Sequence, residues 1–173
     1  MIYVPIVQRA PRFGAIIRMQ LQSSITTRLE YQHKTLLDLI EGLADEQVRQ
    51  QVVLGKWSIF ENIVHLATYQ HTFTNRVEEI LKNDQPSFDR YTAETDPLFY
   101  DNCMKSTREI IQELMSERKI LATGLLLLKE DQFKRTGRHP VFGTMTLNQW
   151  IQFFLLHEAH HLFTIFKLAA SFR

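Results

Sequence analysis

The sequence predicts an all-α protein built as a four-helix bundle. Apolar residues recur at three- and four-residue steps over four long stretches. Two of those stretches open on capping boxes, Ser58 with Glu61 and Thr146 with Gln149, which satisfy free amides at a helix start. Turn residues are sparse: 6 Gly and 5 Pro in 173 residues favour long helices over many tight β-turns. No segment shows the alternation of a convincing strand.

Taken in order, residues 1–18 carry two prolines and no clear period, and are expected to be an extension preceding one domain over residues 19–173. From Met19, the positions Ile25, Leu29, Leu36, Ile40 and Leu43 describe a first helix, with His33 filling one place, that ends near Gly42. A linker, LADEQVRQQVVLGK, leads to the first capping box and a second helix from Ile59 to Lys82. The stretch DQPSFDRYTAETDP is a loop. A third helix is expected from Leu98 to Leu128, weakened toward its end by Gly124, since glycine in a helix interior costs ~1 kcal/mol against alanine. KEDQFKRTGRHPVFGTM is a polar loop, and the second capping box opens a fourth helix from Leu147 to Ala170.

Composition limits function. A chain with 45% hydrophobic residues, twelve of them Phe, has a sizeable core for one domain. Net charge is +1 with the signs interspersed, so no phosphate-binding footprint points to nucleic acid. The N-terminus lacks a basic region ahead of its apolar residues and is interrupted by Pro5, Arg9, Pro11 and Arg12. No apolar run reaches the ~18 residues of a membrane span, so neither signal peptide nor membrane is expected. A single cysteine, Cys103, forbids a disulfide within the chain and suits a reducing, cytoplasmic compartment; it reads as a small buried hydrophobe. Tyr69, Tyr91 and Trp150 read as core aromatics that can also line a pocket.

The stretch HEAHH, His157 to His161, contains H-E-x-x-H, the zinc-protease pattern. That pattern needs a further ligand downstream, and LFTIFKLAASFR after His161 offers no His, Asp, Glu or Cys. Glu158 falls beside Ile151 and Ile165, away from the histidines. At ~100° per residue, His157 and His161 lie within ~40° of each other on one face, able to chelate one ion or to hydrogen-bond in the core. His160 falls toward the polar edge. Upstream partners are His33, His65, His71 and His139. Periodicity slightly favours His71, near Phe60, Val64 and Ala67, over His65, which falls beside Glu61 and Thr72.

The segments GKWSIFENIVHLA and TLNQWIQFFLLHEAHHLFTI together resemble the DinB/YfiT-like superfamily, and GRHPVFGTMT resembles the family's approach to the last helix. The resemblance spans roughly Met19 to Lys167. It implies an up-down-down-up bundle, often dimeric, with a divalent metal, nickel or zinc, on three histidines. Carried over, these are His65, His157 and His161, against the periodicity preference for His71. Trp57, Ser58 and Glu61 match the family's signature on the second helix. Glu61 and Glu158 are candidates to orient the imidazoles, but the favoured readings are a helix cap for Glu61 and a buried, hydrogen-bonded acid for Glu158.

Three neutral imidazoles leave open coordination positions and the full charge of the ion. Such a site suits hydrolysis, or transfer of a low-molecular-weight thiol as the resemblance implies, on a small-molecule substrate. No residue is singled out as catalytic. The competing expectation is a non-enzymatic helical scaffold or dimerisation module with structural or vestigial histidines.

Overall fold

The computed structural model describes residues 21–173, and the expected extension at residues 1–18 lies outside the described residues. The expected bundle is present. Its helices are α1 (Ser23–Tyr31), α2 (Thr35–Ile40), α3 (Asp45–Arg49), α4 (Ile59–Lys82), α5 (Pro97–Cys103), α6 (Thr107–Leu126), α7 (Glu130–Phe133) and α8 (Leu147–Ala169). α4 packs against α6 and α8, and the α1–α2 arm packs against the same two. The first and second long helices therefore stand at diagonal corners, and the chain between them crosses the bundle. No described helix is long and apolar enough to cross a membrane.

Both expected capping boxes form. Ser58 Oγ accepts from the Glu61 amide at 3.1 Å while Glu61 Oε2 accepts from the Ser58 amide at 2.7 Å. Thr146 and Gln149 repeat this at the start of α8. These caps fix where α4 and α8 begin, and hence which residues reach mid-bundle.

Two expected helices are broken. The first splits at a 3-10 turn, Gln32–Lys34. Gln32 Nε2 leaves the helix surface to donate to the Leu155 carbonyl and to Glu158 Oε2, both at 2.8 Å. A three-residue turn nearly preserves helical phase, so the apolar series continues across the break. The third helix stops at Cys103 and restarts at a capping box not expected from the sequence, Ser106 with Glu109. The expected linker contains α3.

The loop before α8 is a hairpin, not irregular chain. β1 (Thr136–His139) pairs antiparallel with β2 (Gly143–Thr146), with His139 opposite Gly143. Gly143 takes φ of 70°, which closes the turn without steric cost. His139 Nδ1 accepts from the amides of Val141 and Phe142 at 3.1 and 3.2 Å. Gly137 lies so close to α4 that a Cβ there would meet Ile80 Cγ1 at 2.8 Å.

The core divides into two apolar clusters. One gathers Leu29, Phe73, Trp150 and Phe154, and the other Leu36, Ile63, Ile110 and Ile165. Between them runs a polar belt drawn from every long helix. Arg118 and Glu158, each 1% exposed, form a buried ion pair. Arg118 Nε also donates to Gln70 Oε1 at 2.6 Å, and Gln70 Nε2 donates to the Leu114 carbonyl at 3.1 Å. A buried charge pair persists only when its remaining polar groups are bonded, and Gln32 and Gln70 supply those bonds.

Candidate metal centre

The same belt carries three histidines on its other side. α4 brings His65, buried, about two turns from its cap; α8 brings His157 and His161, half-buried. One ring nitrogen from each lies within 4.8 Å of those of the other two. His65 Nε2 and His157 Nε2 are 3.0 Å apart. That is hydrogen-bond contact between the two rings, a little shorter than the ~3.3–3.4 Å that tetrahedral zinc–nitrogen bonds of ~2.0–2.1 Å put between adjacent ligands, so a slight parting of the rings makes room for one ion.

The remaining histidines are placed elsewhere. His71, the periodicity favourite, is exposed on α4. The helical period could not decide between the two because α4 is apolar over a wide arc near its middle, and His65 lies where that arc meets the belt. His33 is buried near Arg118. His139 is occupied by the hairpin turn, and His160 is exposed, as expected.

Neither candidate carboxylate orients an imidazole, and both take the favoured structural roles. Glu61 closes the α4 cap, and Glu158 turns to Arg118 on the far face of α8. The latter also removes it from any protease-like role. The orienting residue is Asn62, 2% exposed. Its Nδ2 donates to the Ser58 carbonyl at 2.8 Å, which fixes the amide so that Oδ1 faces His161 Nδ1 at 2.9 Å. An amide oxygen only accepts, so His161 carries its proton on Nδ1 and keeps the Nε2 lone pair free. The sequence signal for Asn62 was its spacing: a polar residue three positions before His65 shares its buried face.

Aromatic rings wall the cluster. Trp57 lies 4.9 Å from His65 and 6.1 Å from His161, ring centre to ring centre. Tyr69 lies 4.2 Å from His157, and Tyr91 5.7 Å from His65. Burial behind this wall disfavours the charged imidazolium, and the neighbouring imidazoles add like-charge repulsion. The pKa falls to about 4 at His65, about 3 at His157 and about 2 at His161. All three rings are therefore neutral at pH 7, the form that binds a metal.

The Nδ1 atoms of His65 and His157 are buried with no hydrogen-bond partner among the described residues. The donor set, three neutral imidazoles with no carboxylate, fits a borderline-soft divalent ion with open positions.

The cluster is reached from outside. A cleft of about 630 Å³, within the size range of small-molecule sites, has Trp57, Asn62 and His161 on its lining.

Comparison with known proteins agrees with this architecture. The DinB superfamily profile matches residues 28–165. YuaE from Bacillus subtilis is 30% identical over 135 residues, covering 71% of this chain and 83% of YuaE. The structure of YfiT from Bacillus subtilis, described as a probable metal-dependent hydrolase with an unusual four-helix bundle topology, superposes with a TM-score of 0.75. That match covers 97% of this chain and 95% of YfiT at 22% identity, and it bears on the fold.

Proposed function

This chain belongs to the DinB superfamily, and on that premise we propose that it is a metal-dependent enzyme acting on a small molecule, with a divalent ion, nickel or zinc, held by His65, His157 and His161. The observation that carries the reading is the convergence of three neutral imidazole nitrogens within 4.8 Å, at a cluster reached from a cleft. When bound, the ion supplies Lewis acidity, polarising a carbonyl or acidifying a coordinated water or thiol.

The chain's own residues supply the rest. Asn62 keeps His161 in the tautomer that offers Nε2. Trp57 and Tyr69 pack against the rings of His65 and His157 and hold them in place. Ser58 and Glu61 anchor the first turn of α4, and so the register of Asn62 and His65.

Hydrolysis is the leading reaction, because the fold is shared with YfiT, described as a probable metal-dependent hydrolase. Transfer of a low-molecular-weight thiol is the second reading, supported by the absence of an anionic ligand, which leaves the ion able to hold a thiolate. Assay of the zinc- and nickel-loaded protein against an ester and amide panel, with and without added thiol, separates the two. Turnover without thiol supports hydrolysis, and turnover that requires thiol supports transfer. Absence of both, with metal bound, favours the scaffold reading. We further propose a homodimer joined through the outer face of α8, where Leu156, Phe163 and Phe166 are at least half exposed; sedimentation of a Phe163→Glu variant tests it.

A further inference from the structure

The cleft beside the histidines has a polarity of its own. Its inner end is Trp57, Asn62 and His161, and its apolar lining adds Val52, Val53 and Leu168. Four further side chains on it are ionisable: Lys56, from the turn before α4; Lys167, from the last turn of α8; His160, beside His161; and Glu94, from the 3-10 turn Ala93–Thr95. Neither lysine is in an ion pair among the described residues, although both signs of charge are common on this surface. Lys167 Nζ instead lies 5.0 Å over the Phe163 ring. Two unpaired ammonium groups against one carboxylate leave the lining cationic.

We propose that this cleft selects a small molecule with an anionic group, a carboxylate or its equivalent, on an apolar body. The anionic group lies between Lys56 and Lys167, the body packs on Trp57, Val52 and Leu168, and the reactive group points at His161. The inference rests on the proposed metal site and names the substrate class that site serves. Both lysines are exposed, so they act by Coulomb attraction at the solvent-facing side of the cleft, and that attraction weakens with salt. They hold the substrate and take no part in its bond-breaking, so they are specificity residues.

A probe pair tests this: benzohydroxamate, an uncharged apolar metal ligand, and 4-carboxybenzohydroxamate, the same molecule with a carboxylate. Binding of each to the zinc-loaded protein is measured by titration calorimetry at low and high salt. The expected result is that the carboxylate tightens binding about tenfold at low salt, and less at high salt. In a Lys56→Ala/Lys167→Ala variant the advantage disappears while benzohydroxamate binds as before. Equal affinity of the two probes for the parent protein overturns the proposal and leaves the metal site standing. An advantage that survives in the double variant also overturns it. Failure of both probes to bind removes the metal reading and this inference with it.

Discussion

Asn62 Oδ1 lies 2.9 Å from His161 Nδ1, and the same amide is locked from behind by the Ser58 carbonyl at 2.8 Å. One side chain thus links the start of α4 to a histidine on α8 and chooses its tautomer. Asn62→Ala frees His161 to rotate and leaves its Nδ1–H unpaired. The expected loss in zinc affinity is about 10–100-fold, measured by competition with a chelating indicator. An unchanged affinity would mean that Asn62 is only a core polar residue.

Glu158 lies between His157 and His161 in sequence but belongs to Arg118. Glu158→Ala leaves a guanidinium buried at 1% exposure without its partner, and should lower stability by about 3–5 kcal/mol. Arg118→Met/Glu158→Leu removes both charges and should lose markedly less. Urea unfolding of the three proteins checks the order. If the single and double variants lose the same amount, the pair is not coupled as described.

His33 gives a pH signature. Burial lowers its pKa from 6.5 to about 4, with the charges of Arg118 and Lys34 adding to the shift. Between these values the unfolded chain binds the proton and the folded protein does not, so protonation pulls toward unfolding. The contribution is present in full above pH 6.5 and is lost as pH falls toward 4. The site histidines act in the same direction, so the test is a difference: stability of the parent minus that of His33→Asn, from pH 7 to pH 4. The difference should shrink as pH falls, and a flat difference would exclude His33 as a source of acid sensitivity.

Gly137 is required by close approach. In Gly137→Ala the added methyl meets Ile80 at 2.8 Å, and the hairpin must shift off α4. Overpacking of this kind costs about 1–3 kcal/mol, visible as a lower Tm, whereas Gly124→Ala, with open space at that point, should not destabilise. A Gly137→Ala protein as stable as the parent would show that the hairpin is not held against α4.

The long elements and their caps could be seen in the sequence because they depend on local rules. Ser58 with Glu61 and Thr146 with Gln149 announced α4 and α8, and the spacing of His157 and His161 placed them on one face. What stayed hidden depends on contacts across the bundle. The break at Gln32 follows from Leu155 and Glu158, both more than a hundred positions away. The hairpin has four-residue strands with Gly and Arg in place of alternating apolar residues, so it carries no period. The choice of His65 over His71 came from a family resemblance, since the helical period leaned the other way and the belt that recruits His65 exists only when four helices meet. Asn62 had only its spacing from His65 to mark it, and its role stayed hidden for the same reason: its partner, His161, is on α8.

His65, His157 and His161 are proposed to hold one divalent ion between them. Elemental analysis and zinc titration of the purified protein alongside His65→Ala, His71→Ala and His157→Ala test it most directly. One ion per chain is expected in the parent and in His71→Ala, and its loss in the other two. A parent that binds no zinc or nickel after reconstitution, or a His65→Ala protein that still binds one ion as tightly as the parent, would contradict it.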